Sequence, residues 1–206
     1  MGALPRFNLR ALIPLGYNHL IETGCGRGWS TQYGVRQGMI RVDAVDATKE
    51  MYDQCIEMFV RDPHVHLTHG YSPEFLQTID NYNNAIVFLD AHLVGGADFL
   101  LIEHEEAAKH PKSFPLLDEL DVLLQKDISN TIIIIDDIRM YYENAGTKGK
   151  VPEFAKRWHE LPKLEKRIQT IKKTHQIIDV PLDEGYFLML PKDLKIPIEN
   201  LLTHNR

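Results

Sequence analysis

Leu20-Ile21-Glu22-Thr23-Gly24-Cys25-Gly26-Arg27-Gly28-Trp29-Ser30-Thr31 runs from an apolar stretch through an acid and three alternate glycines to residues that can open a helix. Strand, tight turn and helix start, in that order, make a nucleotide-type site. Glycine lets the backbone enter φ > 0 and come close to a ligand without a Cβ in the way. The helix start adds unpaired N–H groups and the positive end of its dipole. A dinucleotide fingerprint reads G-x-G-x-x-G and seats a pyrophosphate there. Counted from Gly24, the last glycine of that fingerprint falls on Trp29, too large for the close approach.

Outside this stretch the 206 residues are ordinary for a globular chain, with 44% hydrophobic and 25% charged residues. The length suits one domain over 1–206, with an insertion at about 93–113. A net charge of −6 argues against a nucleic-acid backbone as partner. Lys163, Lys166, Arg167, Lys172 and Lys173 read as a solvated helix face. Cys25 and Cys55 have neither C-x-x-C spacing nor further cysteines, so no disulfide framework or zinc site is expected. No apolar run reaches a membrane span, and Met1–Phe7 lacks the pattern of a signal peptide. The expectation is a cytoplasmic protein in a reducing setting, with no membrane partner.

Strand-like and helix-like segments alternate, which predicts an α/β protein with a mostly parallel sheet. Strands are expected at His19–Thr23, Ile40–Asp46, Val65–His69, Ala85–Asp90, Thr131–Ile135, His175–Val180 and Gly185–Leu190, the last two as a hairpin. Helices are expected at Trp29–Gln37, Lys49–Phe59, Asp98–His110, Phe114–Leu124 and Pro152–Leu161, the last of these ended or kinked by Pro162.

In such sheets ligands bind beyond the carboxyl ends of the strands, where the strand order reverses. Acids stand at those ends: Glu22, Asp46, Asp90 and the pair Asp136-Asp137. Asp46 lies 22 residues after Gly24, the place of a carboxylate that accepts from ribose hydroxyls. Capping of the next helix is its alternative role. Nicotinamide-dependent folds use this ribose device, so Asp46 alone does not say which nucleoside cofactor is bound.

The pattern Glu22-x-Gly24-x-Gly26-x-Gly28 resembles motif I of the class I S-adenosylmethionine (SAM) methyltransferases. Leu89-Asp90-Ala91-His92, Gly95-Gly96, Pro115-Leu116-Leu117-Asp118-Glu119-Leu120 and Ile135-Asp136-Asp137-Ile138-Arg139 follow in the order found in one branch of that family. The resemblance covers residues 19–140. It implies a Rossmann-like seven-stranded sheet of order 3-2-1-4-5-7-6, with an antiparallel last strand and helices on both faces. It further implies that Glu22, Gly24, Gly26, Gly28, Asp46, Ser72 and Asp90 hold SAM. His69-Gly70-Tyr71-Ser72 stands where the family has a Gly-Asp-Ser turn beside the adenine, with Tyr71 in place of the acid.

The expected reaction is methylation of a hydroxyl on a small molecule or glycan, with Asp90 and His92 as catalytic residues and His92 taking the proton. Asp90, Asp136 and Asp137 are candidate ligands for Mg²⁺ or Mn²⁺, as in metal-dependent catechol and sugar O-methyltransferases. The insertion could serve as a lid or a homo-oligomer contact, and Glu103, His104 and His110 within it read as a solvated face. Two other classes are compatible with the pattern: an NAD- or nucleotide-sugar-dependent enzyme, and a non-catalytic module of the SAM-binding fold.

Overall fold

The computed structural model describes residues 4–92, 112–147 and 150–203. The expected helix at Asp98–His110 and most of the expected insertion lie outside them. The strands are β1 (His19–Thr23), β2 (Arg41–Asp46), β3 (Val65–His69), β4 (Ala85–Leu89), β5 (Ile132–Ile135), β6 (His175–Val180) and β7 (Tyr186–Pro191). They form one sheet of order β3-β2-β1-β4-β5-β7-β6. β1 through β5 pair in parallel, and β7 runs antiparallel to both β5 and β6. The strand order reverses between β1 and β4.

β4 and β5 are continuous apolar runs because both of their faces are covered. Ala85, Val87 and Leu89 of β4 point into one core, and Ile86 and Phe88 into the other. On the first face pack α3 (Ser72–Thr78), α4 (Leu116–Leu123) and α5 (Leu161–Ile171), through Leu76, Leu120 and Leu164 among others. On the opposite face lie two 3₁₀ segments, Leu4–Arg6 and Leu9–Leu15, with Leu201 of α6 (Ile198–Leu201). α1 (Trp29–Gln37) and α2 (Lys49–Phe59) connect β1 to β2 and β2 to β3.

The segment before β6 departs from the sequence expectation. Residues 152–160 hold only two 3₁₀ turns, Glu153–Ala155 and Trp158–Glu160, and the helix runs from Leu161 to Ile171. Pro162 opens that helix instead of ending it. A proline in the first turn lacks only an N–H that has no intrahelical acceptor there. The apolar spacing of Leu164, Ile168 and Ile171 then sets the buried face.

Candidate functional site

The glycine turn joins β1 to α1 and is tied to β2. The N–H groups of Gly24 and Cys25 both donate to Val45 O, at 2.9 and 3.0 Å. Gly26 N donates to Asp46 Oδ2 at 2.8 Å, and Thr48 N donates to Asp46 Oδ1 at 2.7 Å. Asp46 thus secures the turn and the start of α2 together. Burial pushes its pKa up, and these backbone donors pull against the rise. Glu22 is wholly buried, and its two oxygens accept from the hydroxyls of Ser30 and Thr31 in α1. Burial brings the Glu22 carboxyl up to about 7, opposed by those hydroxyls. Its work within the fold is to fasten α1 to the end of β1.

The three glycines differ in what surrounds them. All have positive φ, at 74°, 52° and 74°. A Cβ at Gly24 would strike Asp90 O at 2.7 Å, so this glycine lets β1 and β4 meet. At Gly28, the N-cap of α1, it would strike the Phe59 ring at 2.9 Å. At Gly26 it would meet none of the described residues within 4 Å. The backbone at Gly26 therefore faces open space, directly beside the buried carboxylate of Asp46.

Across the strand-order reversal, the ends of β4 and β5 bring together Asp90, His92, Asp136 and Asp137. Asp90 N donates to Thr23 O at 3.2 Å, and Asp136 N donates to Leu89 O at 3.0 Å, fixing the three strand ends to one another. The His92 ring lies between two carboxylates, with Nδ1 3.4 Å from Asp90 Oδ1 and Nε2 3.5 Å from Asp137 Oδ2. Burial lowers the His92 pKa and outweighs the pull of Asp137. Its imidazole is therefore held neutral, the form that can accept a proton. Burial and the neighbouring carboxylates raise Asp90 well above the usual range, and Asp136 to about 8. Asp137 sits at φ 55°, a left-handed conformation, and Arg139 Nε donates to its Oδ1 at 2.6 Å.

That arrangement bears on a metal. Asp137 is engaged by Arg139, and Asp136 Oδ1 accepts from Asp137 N at 2.7 Å. Among the described residues, no group of three or more His, Cys, Asp or Glu side chains is arranged to hold a metal ion. The donor set of Asp90, Asp136 and Asp137 does not stand open as a divalent-cation triad.

A cleft at the β4 end is lined by Asp90, Ala91, His92, Phe114, Glu119, Asp136 and Tyr141, among others. Glu119 had no role in the sequence reading. It is 1% exposed on α4, and burial brings its carboxyl up to about 7, with the hydroxyls of Ser72 and Thr23 drawing it down. The signal was legible: an acid at 119 falls on the same helical face as Leu116, Leu120 and Leu123. Ser72 begins α3 and is 5% exposed, whereas the Tyr71 ring before it lies under Lys112 Nζ, 4.0 Å from the centroid.

No family model matches the chain, and no curated protein matches it by sequence. Solved structures do match. The S-adenosylhomocysteine-bound methyltransferase PaMTH1 of Podospora anserina superposes with a TM-score of 0.60 at 14% identity, over 90% of this chain and 76% of that one. The O-methyltransferase TomG of Streptomyces achromogenes, in complex with SAM, gives 0.59 at 14% identity, over 93% and 81%. The cofactor-bound Rv0187 protein from MTB gives 0.54 at 13% identity, over 94% and 82%. The chain has the Rossmann-like fold of the SAM methyltransferases. Identities this low speak for the fold alone.

Among the described residues, no helix is long and apolar enough to cross a membrane.

Proposed function

We propose that this chain is a SAM-dependent methyltransferase that methylates a hydroxyl of a small molecule or glycan. One observation carries the reading: the open side of Gly26, bounded by Asp46, lies on the same edge of the sheet as His92 between its two carboxylates. SAM, when bound, supplies a methyl group already activated on a sulfonium. The chain's part is to bind, orient and deprotonate.

Gly26 and Asp46 would hold the amino-acid end and ribose, with lone pairs of Asp46 left for ribose hydroxyls beside its two backbone donors. Ser72 would stand at the adenine, and Asp90 would lie beside the reacting end. Neutral His92 would take the hydroxyl proton at a ring nitrogen, and Asp90 and Asp137 would stabilise the imidazolium that results. Positioning two reactants in this way is worth several kcal/mol of barrier. No step is assigned to a divalent cation.

The fit of two methyltransferase structures, one bound to S-adenosylhomocysteine and one to SAM, over 90% and 93% of this chain supports the reading. The test is transfer of tritium from methyl-labelled SAM to hydroxyl acceptors, a series of sugars and catechols, with and without EDTA. Transfer that survives EDTA and is lost with His92→Ala is the expected result. Transfer abolished by EDTA and restored by Mg²⁺ would overturn the base-only mechanism.

A further inference from the structure

A second concavity lies away from the strand ends. A groove of about 490 Å³ runs between α1 and the chain that leaves α2 for β3. Val35, Met58, Phe59 and Pro63 give it apolar walls, and Arg36 and Arg61 line it beside them. Met58 is 46% exposed there. A space of this size suits a small organic ligand. One layer of side chains separates it from the glycine turn, since a Cβ at Gly28 would come within 2.9 Å of the Phe59 ring and 3.3 Å of Met58 Sδ.

The charges select the occupant. Both arginine side chains are exposed, and neither guanidinium forms an ion pair or a side-chain hydrogen bond with a described residue. Asp62, the acid of the groove, is already engaged, because its Oδ1 accepts from His64 N at 3.0 Å. Arg10 brings a third cation to this side of α1 by donating from Nη2 to Arg36 O at 3.2 Å. The groove is therefore locally cationic in a chain of net charge −6. A guanidinium stays charged at every working pH, and its planar fork matches a carboxylate. Trp29, 54% exposed, falls on the same face of α1 as Gln32 and Arg36. That ridge has an aromatic end and a charged end.

We propose that this groove is a binding site for a small apolar acid, a carboxylate on an aromatic or alkyl body, with the carboxylate on Arg36 and Arg61 and the body against Met58 and Phe59. The site is separate from the cofactor turn and stands whether or not the chain transfers a methyl group.

The experiment follows the backbone amides of the whole chain by two-dimensional NMR as 4-phenylbutyrate or octanoate is added, each compared with its alcohol. Saturable shifts centred on Val35, Arg36, Phe59 and Arg61 are expected. The acids should bind about tenfold more tightly than the alcohols, the scale of a charge-assisted hydrogen bond. Arg36→Gln and Arg61→Gln should each weaken the acids by about that factor and leave the alcohols unchanged. Both side chains are exposed, so the variants should fold, and unshifted amides in the sheet check that they do. Acids and alcohols that bind alike, acids indifferent to both substitutions, shifts that map away from the groove, or no saturable shift with either acid would each overturn the proposal. A chain that sediments as a dimer, and as a monomer in Arg61→Gln, would assign the groove to a second copy and overturn it too. None of these measurements involves S-adenosylhomocysteine, so their failure leaves the proposed function intact.

Discussion

Gly26 and Asp46 meet through one hydrogen bond, and the two residues make different demands. Asp46 is fastened by the backbone of Gly26 and Thr48, so its carboxylate is already oriented before any ligand arrives. Asp46→Ala should weaken binding of S-adenosylhomocysteine by about 1–3 kcal/mol, since the ligand loses charge-assisted hydrogen bonds and the turn loses its anchor. Calorimetry on the folded variant checks this. Gly26→Val adds a side chain where no atom of the described residues lies within 4 Å. Its protein-side cost is confined to the left-handed backbone, so the fold should survive while binding is abolished. Circular dichroism with calorimetry separates the two effects. His92 makes the sharpest chemical demand. Removing a general base costs ~10²–10⁴-fold in rate. His92→Ala should therefore lower kcat on that scale and leave the affinity for S-adenosylhomocysteine nearly unchanged. Full activity in this variant would remove His92 from the chemistry.

The elements were legible where periodicity and punctuation agreed. β1, β3, α1 and α2 match their sequence bounds because glycine, an acid or a change of hydrophobic period marks each end. The apolar runs of β4 and β5 could be recognised as central strands because helices cover both faces. The strand order followed from family resemblance, since hydrophobic alternation carries no information on which strands are neighbours. The helix before β6 begins at Leu161 and not at Pro152, because Pro162 fits a first turn as readily as it ends a helix. The i, i+4, i+7 spacing of Leu164, Ile168 and Ile171 beyond the proline carries the signal for that start, and all three are buried against the sheet. At the site, the turn and the acids at strand ends were visible in the sequence. The partners of Glu22 in α1 and the placing of Glu119 beside Ser72 and Thr23 were not, because both depend on packing between elements. Leu164 tests the corrected helix. It is fully buried against the sheet, so Leu164→Ala should cost about 2–5 kcal/mol in urea unfolding. Pro162→Ala, in the first turn, should change stability far less.

Across the whole molecule, the candidate site concentrates buried acid. Glu22 and Glu119 are held up to about 7, Asp136 to about 8, and Asp90 well above the usual range. Unfolded carboxyls titrate near 4. From about pH 4 to about 7–8 the folded chain therefore binds more protons than the unfolded one. The stability contributed by these groups falls as pH rises through that window. His92 and His175, whose pKa burial lowers, act in the opposite sense below about pH 6.5. Asp136→Asn removes one acid and keeps an oxygen for the Asp137 N–H. Its Tm should come closest to the wild-type value near pH 4 and exceed it at pH 8, by ~2–4 °C for each kcal/mol of relieved charge burial. Calorimetric scans at the two pH values check the sign.

The proposed function commits the open turn at Gly26 and the carboxylate of Asp46 to SAM and its demethylated product. Direct titration of the wild-type chain with S-adenosylhomocysteine and, separately, with NAD tests this central claim. Saturable one-to-one binding of S-adenosylhomocysteine, with no heat from NAD, is the predicted result. Binding of NAD, or no binding of S-adenosylhomocysteine by the folded chain, would contradict it.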